Sequence, residues 1–336
     1  MKESRKLIIG GIIAVTIFAI LISLVGIDEF VSAVVAVPPE RVLLLLATAM
    51  VGIVAMGLSF FTVASRLQLG LSRFEAVGLF TSINLAHNLT PFGQAGGEPI
   101  GAAVVSKRTK ARYETCLASI TAFDAINVIP AILIFILGGT YVTVFSPSIP
   151  HEMRPYLAAF SIFIFIVVSV AGAIVHWPST TRHLLSRLVR GLNRILGILP
   201  LVPSVEPNRL DQALDGYMQA IRIVSSDRPV LVKASTFSTL AFVSQGTMLY
   251  LALGAMDANL SLVLAIVIVQ ISLLASVIPL PGSGGGTEAA QVSLVMILTE
   301  TTFSPALIAV VLSRGIVFWL PVILGAIMIS AVYLRD

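Results

Sequence analysis

Long apolar stretches alternate with short polar segments along the chain. Six stretches are long enough to cross about 30 Å of hydrocarbon as helices: 7–27, 41–64, 114–138, 156–176, 233–255 and 305–333. Two further apolar regions, 74–106 and 261–299, are each interrupted near the middle by a segment rich in glycine and proline. The pattern predicts an all-α polytopic membrane protein with about six full spans, in which the two interrupted helices pack within the protein or line a polar cavity.

The composition supports the same class. Hydrophobic residues make up 57% of the 336 positions and charged residues 11%, whereas soluble domains carry about 25% charged residues. The net charge of +4 is interpreted as a topology signal and not as a nucleic-acid site. The single cysteine, Cys116, excludes an intrachain disulfide. Because 7–27 is longer than the apolar core of a signal peptide, it is predicted to be a retained first span.

The distribution of lysine and arginine predicts the orientation. With the N-terminus in the cytoplasm, 18 of the 21 basic residues lie on the cytoplasmic side and two, Arg41 and Arg154, lie outside. The remaining one, Arg314, falls inside a span. Under the positive-inside rule, this predicts a multi-pass protein of the cell membrane with both termini in the cytoplasm.

The same orientation makes both interrupted regions re-entrant. Arg73 and Lys107 are both cytoplasmic, and the predicted return limb 99–106 has only eight residues, about 12 Å of helix. Region 74–106 is therefore predicted to be a hairpin entering from the cytoplasm, and region 261–299 a hairpin entering from outside. Their tips, PFGQAGGE and PGSGGGTE, align without gaps, with Gly96 opposite Gly286. These features together favour an inverted repeat of the kind found in many transporters.

The repeat divides the chain into three parts: a first membrane half, 1–176, a cytoplasmic connector, 177–232, and a second membrane half, 233–336. The connector contains two amphipathic stretches. In the second, 207–225, an apolar stripe comprises Leu210, Leu214, Tyr217, Met218, Ile221 and Val224. The connector is interpreted as an elbow between the halves, with a lipid-sensing helix as the alternative.

Four charged residues fall at membrane depth: Glu98, Asp124, Glu288 and Arg314. A charged group facing lipid costs about 2.5–3.5 kcal/mol on insertion scales, so these side chains are expected to face the protein interior or water. Glu98 and Glu288 each follow a glycine run, where a carboxylate either caps a helix or lines a polar path. Arg314 either pairs with one of the acids or binds a lipid phosphate; the phosphate is favoured.

The candidate site combines these residues with the polar and glycine-rich positions around them. The predicted substrate path or lipid-binding site comprises Asn84, His87, Asn88, Pro91, Gly93, Gly96, Gly97, Glu98, Asp124, Asn127, Pro281, Gly284, Gly285, Gly286, Glu288 and Arg314. His87 lacks a second ligand at metal spacing, and neither glycine run continues into Gly-Lys-Ser/Thr. We find no convincing nucleophile–base pair. The prediction is therefore no metal, no cofactor and no catalytic residue.

The segment NLTPFGQAGGEP, followed by SKR, resembles the transmembrane region of bacterial lysylphosphatidylglycerol synthases and their free-standing flippase-like relatives. The later PLPGSGGGTEA is similar to the second signature of that family. The resemblance extends over nearly the whole chain and implies lipid translocation. Since the chain ends at Asp336, just after its last span, it is expected to lack the soluble synthase domain, and the resemblance does not imply aminoacyl transfer.

Two functions follow as alternatives. The first is translocation of a phospholipid or polyprenyl-type lipid between membrane leaflets, which the inverted hairpins and buried charges favour. The second is a membrane-embedded enzyme or an accessory factor in lipid or lipid-linked glycan synthesis, with Asp124, Glu98 and His87 as candidate bases. The predicted partners are membrane lipids and, in the second case, a lipid-synthesis enzyme; nucleic acid is not expected.

Overall fold

The computed structural model describes residues 2–90, 93–145, 207–273, 285–299 and 301–334, together with isolated positions at 162, 165, 166, 169, 187 and 275. These ranges are helical and contain no strand, which confirms the predicted all-α class. The predicted span 156–176 and most of the connector lie outside them. The helices are α1 (Lys2–Val25), α2 (Ile27–Val35), α3 (Pro39–Arg66), α4 (Arg73–Leu89), α5 (Gly93–Thr109), α6 (Tyr113–Ile126), α7 (Val128–Phe145), α8 (Pro207–Ser225), α9 (Arg228–Ala255), α10 (Leu262–Ser272), α11 (Gly286–Thr299) and α12 (Phe303–Leu334).

Four helical segments of the described chain are long and apolar enough to cross a membrane: α3, Tyr113–Gly138 across α6 and α7, α9, and α12. They coincide with four of the predicted spans. Helix α1 covers most of the predicted span 7–27, and the chain bends by 91° where α1 gives way to α2. Gly26 at the bend has φ +104°, a conformation that glycine adopts without the steric cost of a side chain. The described residues therefore contain four candidate spans, or five if the bent pair counts as one.

An antiparallel pair, α3 and α9, defines the two ends of the molecule. At one end Arg66 Nε lies 2.6 Å from Asp227 Oδ2, and at the other Arg41 Nη1 donates a 2.5 Å hydrogen bond to the carbonyl of Gly254. Between them the hydroxyls of Ser59 and Ser238 are 2.9 Å apart. We call the end that carries Arg66 the basic end, because Arg73, Lys107 and Arg108 lie there as well.

The first hairpin consists of α4 and α5 and opens at the basic end. Glu75 closes a capping box with Ser72 at the start of α4, accepting from its backbone N–H at 2.9 Å. Arg108, at the end of α5, pairs with the same Glu75. The return limb is longer than the eight residues predicted, since α5 begins at Gly93 and runs 17 residues with Pro99 inside it, about 25 Å. The glycines expected to form an irregular tip instead let α5 pack closely on α4.

The second hairpin, α10 and α11, opens at the opposite end. Ser261 caps α10 by accepting from the backbone N–H of Leu264 at 3.3 Å. The side-chain amide of Gln291 on α11 donates to the Ser272 hydroxyl at the end of α10, at 3.0 Å. The limbs have 11 and 14 residues, about 17 and 21 Å, so each is shorter than the hydrocarbon layer.

The two halves interlock through glycines. Gly325 of α12 lies directly against the backbone of Thr81 on α4, in the first hairpin. Gly138 of α7 lies directly against Val267 on α10, in the second hairpin. A helix of each predicted half, α7 in 1–176 and α12 in 233–336, therefore packs on the hairpin of the other half.

Candidate functional site

Two of the predicted acids meet at the first hairpin. Glu98 is on the second turn of α5, and its Oε2 accepts a 2.8 Å hydrogen bond from the Thr121 hydroxyl on α6. Asp124, one turn after Thr121, reaches the same carboxyl group. A hydrogen bond between two carboxyl groups needs a proton on one of them, because two ionised carboxylates repel each other. Asp124 Oδ2 is buried and has no hydrogen-bond partner in the described structure.

The connector reaches this carboxyl pair. Tyr217 on α8 hydrogen-bonds with Thr121 and interacts electrostatically with Glu98. Burial raises the pKa of Tyr217, and the charge of Glu98 adds to the increase while the bond with Thr121 opposes it. Sequence reasoning placed Tyr217 in an apolar stripe and missed Thr121. The spacing of Thr121 and Asp124, three residues apart on one helix face, was the available signal.

The other two charged residues meet at the second hairpin. Glu288 on α11 is 1% exposed. Its Oε1 accepts from Arg314 Nε at 3.1 Å, and its Oε2 accepts from the backbone N–H of Gly285 at 2.8 Å. Gly285 has φ +84°, a conformation that favours glycine. One carboxylate thus caps its own helix and neutralises a buried arginine.

The arrangement bears on the alternatives for Arg314. Its side chain is 14% exposed and that of Glu288 2%, so the pair is largely removed from solvent. The crevice beside Arg314, lined also by Gln245 and Gln291, has a volume of about 10 Å³. That is room for about one water molecule and far too little for a lipid headgroup. In this conformation Arg314 has an acid as its partner.

Unsatisfied amide groups surround the second hairpin. Gln270 is 1% exposed, and both its Oε1 and its Nε2 lack a hydrogen-bond partner in the described residues. Gln291 Oε1 is also buried and also lacks a hydrogen-bond partner in the described residues. A buried amide without partners costs free energy, so these groups mark a place where water or a polar ligand would be favourable. Neither glutamine was predicted, because a single glutamine in an apolar helix carries no spacing signal.

The remaining predicted residues of the first hairpin lie near its tip. His87 is buried, and its Nε2 has no partner among the described residues. Gly97 lies directly behind it, where a Cβ would be 2.5 Å from the His87 Cδ2 and backbone nitrogen. Asn88 donates a 2.9 Å hydrogen bond to Asn84. Gly93 begins α5, and Gly96, half-buried, follows on its first turn.

Asn127 is placed elsewhere. Its Oδ1 accepts a 2.6 Å hydrogen bond from Ser238 on α9, and the hydroxyls of Ser238 and Ser59 are in contact in turn. Asn127 therefore connects the α6–α7 junction to the α3–α9 pair, although it lies one turn from Asp124 in the sequence.

The other predicted positions are only partly described. Gly286 begins α11, whereas Pro91, Pro281 and Gly284 lie outside the described residues. Among the described residues, no group of three or more histidine, cysteine, aspartate or glutamate side chains could hold a metal ion.

Similarity to known proteins extends over nearly the whole chain. A UPF0104 membrane protein of Methanothermobacter thermautotrophicus is 23% identical over 327 residues, covering 95% of this chain and 93% of the relative. A UPF0104 membrane protein of Pyrococcus horikoshii is 23% identical over 346 residues, covering 98% and 97%. The model of the family described as the lysylphosphatidylglycerol synthase TM region matches residues 7–325. The chain, a multi-pass membrane protein, belongs to this family.

Proposed function

We propose that the protein translocates a phospholipid or polyprenyl-type lipid between membrane leaflets. The observation that carries the proposal is the pair of hairpins that open at opposite ends, each with a glutamate near the start of its return helix, Glu98 half-buried and Glu288 buried. Inverted halves with broken helices near the midplane are the architecture of alternating-access transporters. Glu98 and Glu288 give each hairpin a polar interior, which a headgroup needs because it cannot cross hydrocarbon unsolvated.

The carboxyl pair supports the alternative function, an enzyme or accessory factor in lipid or lipid-linked glycan synthesis. Asp124 keeps one buried oxygen without a hydrogen-bond partner in the described structure, which is the state expected of a base that awaits a substrate proton. Translocation is preferred because it uses both hairpins, whereas a base at Asp124 uses only the first.

The test is a leaflet-resolved assay in proteoliposomes. Fluorescent phosphatidylglycerol, phosphatidylethanolamine, phosphatidylcholine and a polyprenyl phosphate are each placed in both leaflets, and an impermeant quencher is added outside. We expect the purified protein to make the inner pool of at least one lipid accessible, with no change in lipid mass. Glu98→Gln should slow this step, since it removes the carboxylate from the polar interior of the first hairpin. A lipid of altered mass would support the enzyme, and no movement of any lipid would contradict translocation.

The orientation gives a second prediction. We infer from the basic residues that the basic end faces the cytoplasm of the cell membrane. In a Cys116→Ala background, Glu40→Cys should react with an impermeant thiol reagent added to intact cells. Lys110→Cys should react only after permeabilisation. Both positions are exposed, so accessibility depends on the side of the membrane alone. Labelling of Lys110→Cys in intact cells, with Glu40→Cys protected, would show the opposite orientation.

A further inference from the structure

A chain of hydrogen-bonding side chains connects the connector helix α8 with the carboxyl pair, Glu98 and Asp124. Tyr217 on α8 bonds with Thr121 on α6, and the Thr121 hydroxyl donates to Glu98 Oε2 at 2.8 Å. Glu98 in turn shares a hydrogen bond with Asp124. The chain therefore joins four polar side chains on three helices, α5, α6 and α8.

The direction of these bonds suits proton transfer toward the pair. A threonine hydroxyl carries one hydrogen, and Thr121 is closer to Glu98 than to its other acceptor, the Leu117 carbonyl at 3.1 Å. Tyr217 is then the donor in its bond with Thr121. Burial raises the pKa of Tyr217, so its hydroxyl stays protonated at neutral pH and can donate. Both hydroxyls thus direct a proton toward Glu98.

The chain extends from the basic end toward the middle of the membrane. Helix α8 lies against the start of α6, where a Cβ on Gly216 would be 3.8 Å from the Glu114 Cβ. Thr121 and Asp124 follow Tyr113, the first residue of α6, by 8 and 11 residues, about 12 and 17 Å of helix. Asp124 is therefore near the middle of a hydrocarbon layer of about 30 Å. Chains of acids at that depth are typical proton relays of pumps and transporters.

The inner end of the chain needs a proton. Asp124 Oδ2 is buried and lacks a hydrogen-bond partner in the described residues, and leaving such an oxygen charged is costly. Its neighbour is a second carboxyl group, Glu98, and two carboxylates in contact repel each other. One proton shared by the two groups removes the repulsion and makes their hydrogen bond possible.

The helices packed on α5 and α6 bring other titratable groups to this region. On α4, His87 lies behind Gly97 of α5. The acids toward the basic end have arginine partners, as in the ion pairs Arg112–Glu114 and Arg108–Glu75. On α9, the contact with α6 is made by neutral groups, Ser238 and Asn127. On α8 and α12, the other titratable groups are Asp215, which is exposed, and Tyr333, which lies under Lys107.

We propose that Glu98 and Asp124 together bind one exchangeable proton, which reaches them from the basic end through Tyr217 and Thr121. In the loading step, water gives a proton to the Tyr217 oxygen, Tyr217 gives its own to Thr121, and Thr121 gives its own to Glu98 Oε2. One proton enters the chain and one arrives, and nothing is oxidised or reduced. Release follows the reverse order. Exchange of this proton during lipid movement rests on the proposed function, whereas the proton site does not.

Infrared difference spectroscopy of the purified full-length protein detects the bound proton. At neutral pH, wild type minus the double variant Glu98→Gln with Asp124→Asn should show the carbonyl stretch of one protonated carboxyl group, shifted in heavy water. The matched control is Glu114→Gln, which removes an acid that has an arginine partner. Wild type minus this control should lack the band. Absence of the band in the first difference, as expected if both carboxylates are ionised around a sodium ion, would overturn the proposal.

The rate at which this band shifts after mixing with heavy water tests the path. Tyr217→Phe and Thr121→Val each remove one hydroxyl and should slow the shift by at least about ten-fold, since a positioned proton-transfer group contributes about 10²–10⁴-fold. Thr121→Ser keeps a hydroxyl and should restore the rate. The matched control is Tyr113→Phe, which removes a hydroxyl that donates to the Pro99 carbonyl at 3.3 Å, outside the chain. Equal rates in Tyr217→Phe and Tyr113→Phe would overturn the path.

A pH gradient across proteoliposomes, with the membrane potential clamped by potassium and valinomycin, tests the link to lipid movement. A gradient of one pH unit should change the rate of quencher access in wild type by up to about ten-fold, and change it less in Tyr217→Phe. Equal rates with and without the gradient would overturn the link and leave translocation standing. The infrared band without movement of any lipid would support the proton site and contradict translocation.

Discussion

Arg314→Gln should lower the free energy of unfolding by about 3–5 kcal/mol, the usual effect of removing one member of a buried ion pair. Glu288 would be left 1% exposed, and the polar partner it keeps among the described residues is the backbone N–H of Gly285. Unfolding in mixed detergent micelles, followed by circular dichroism, measures the loss.

The double variant Arg314→Gln with Glu288→Gln should recover much of that stability. The amide removes the unpaired charge, and its carbonyl oxygen can still accept from Gly285. The matched control is Arg112→Gln, which breaks the exposed pair with Glu114 at 3.6 Å and should cost less than about 1 kcal/mol. A double variant no more stable than the single one, or equal losses in Arg314→Gln and Arg112→Gln, would contradict the ion-pair role.

The same proteins separate the ion pair from a phosphate site. Because the crevice beside Arg314 holds about 10 Å³, anionic lipid should raise the melting temperature equally in wild type and Arg314→Gln. A lipid effect that disappears in Arg314→Gln would instead support the phosphate contact that the sequence alone favoured.

The spans were predictable because hydropathy acts over about 20 residues and does not depend on neighbouring helices. Helices α3, α9 and α12 coincide with the predicted spans within a few residues. The bend at Gly26 was not predictable in this way, since a glycine within an apolar run can equally continue a helix. For the same reason the return limb was predicted to start at Pro99, because the glycines before it were assigned to a turn. In the structure they are helical, and α5 begins at Gly93.

The charged residues show where sequence reasoning stops. That Glu98, Asp124, Glu288 and Arg314 face one another inside the protein, and not the lipid, followed from the cost of exposing charge to lipid. The partner of Arg314 could not be predicted, because three acids were available to one arginine. Its pairing with Glu288 depends on how α11 and α12 lie against each other. The contact of Tyr217 with the carboxyl pair requires the connector to fold back onto α6, which no local pattern encodes.

Gly97→Ala should destabilise the first hairpin by about 1–3 kcal/mol, the range for overpacking a tight core. The new Cβ would lie 2.5 Å from the backbone nitrogen of His87 and 2.6 Å from the carbonyl carbon of Ala86. These are main-chain atoms of α4, so no rotamer change can relieve the contact. Helix α4 cannot move away easily, because Gly325 of α12 lies directly against Thr81 on α4. Gly97→Leu should cost more than the alanine variant, since it adds three further carbon atoms.

The matched control is Gly11→Ala, in α1, where nothing lies within 4 Å of the added Cβ. There alanine should stabilise by up to about 1 kcal/mol, because it favours the helix over glycine. Unfolding in detergent and quencher access in proteoliposomes are measured on all three variants. If the close contact of α4 and α5 also shapes the polar interior at Glu98, Gly97→Ala should slow lipid movement at temperatures where it remains folded. Equal stability of Gly97→Ala and wild type would show that α4 and α5 separate without cost, and close packing at Gly97 would then not hold the hairpin together.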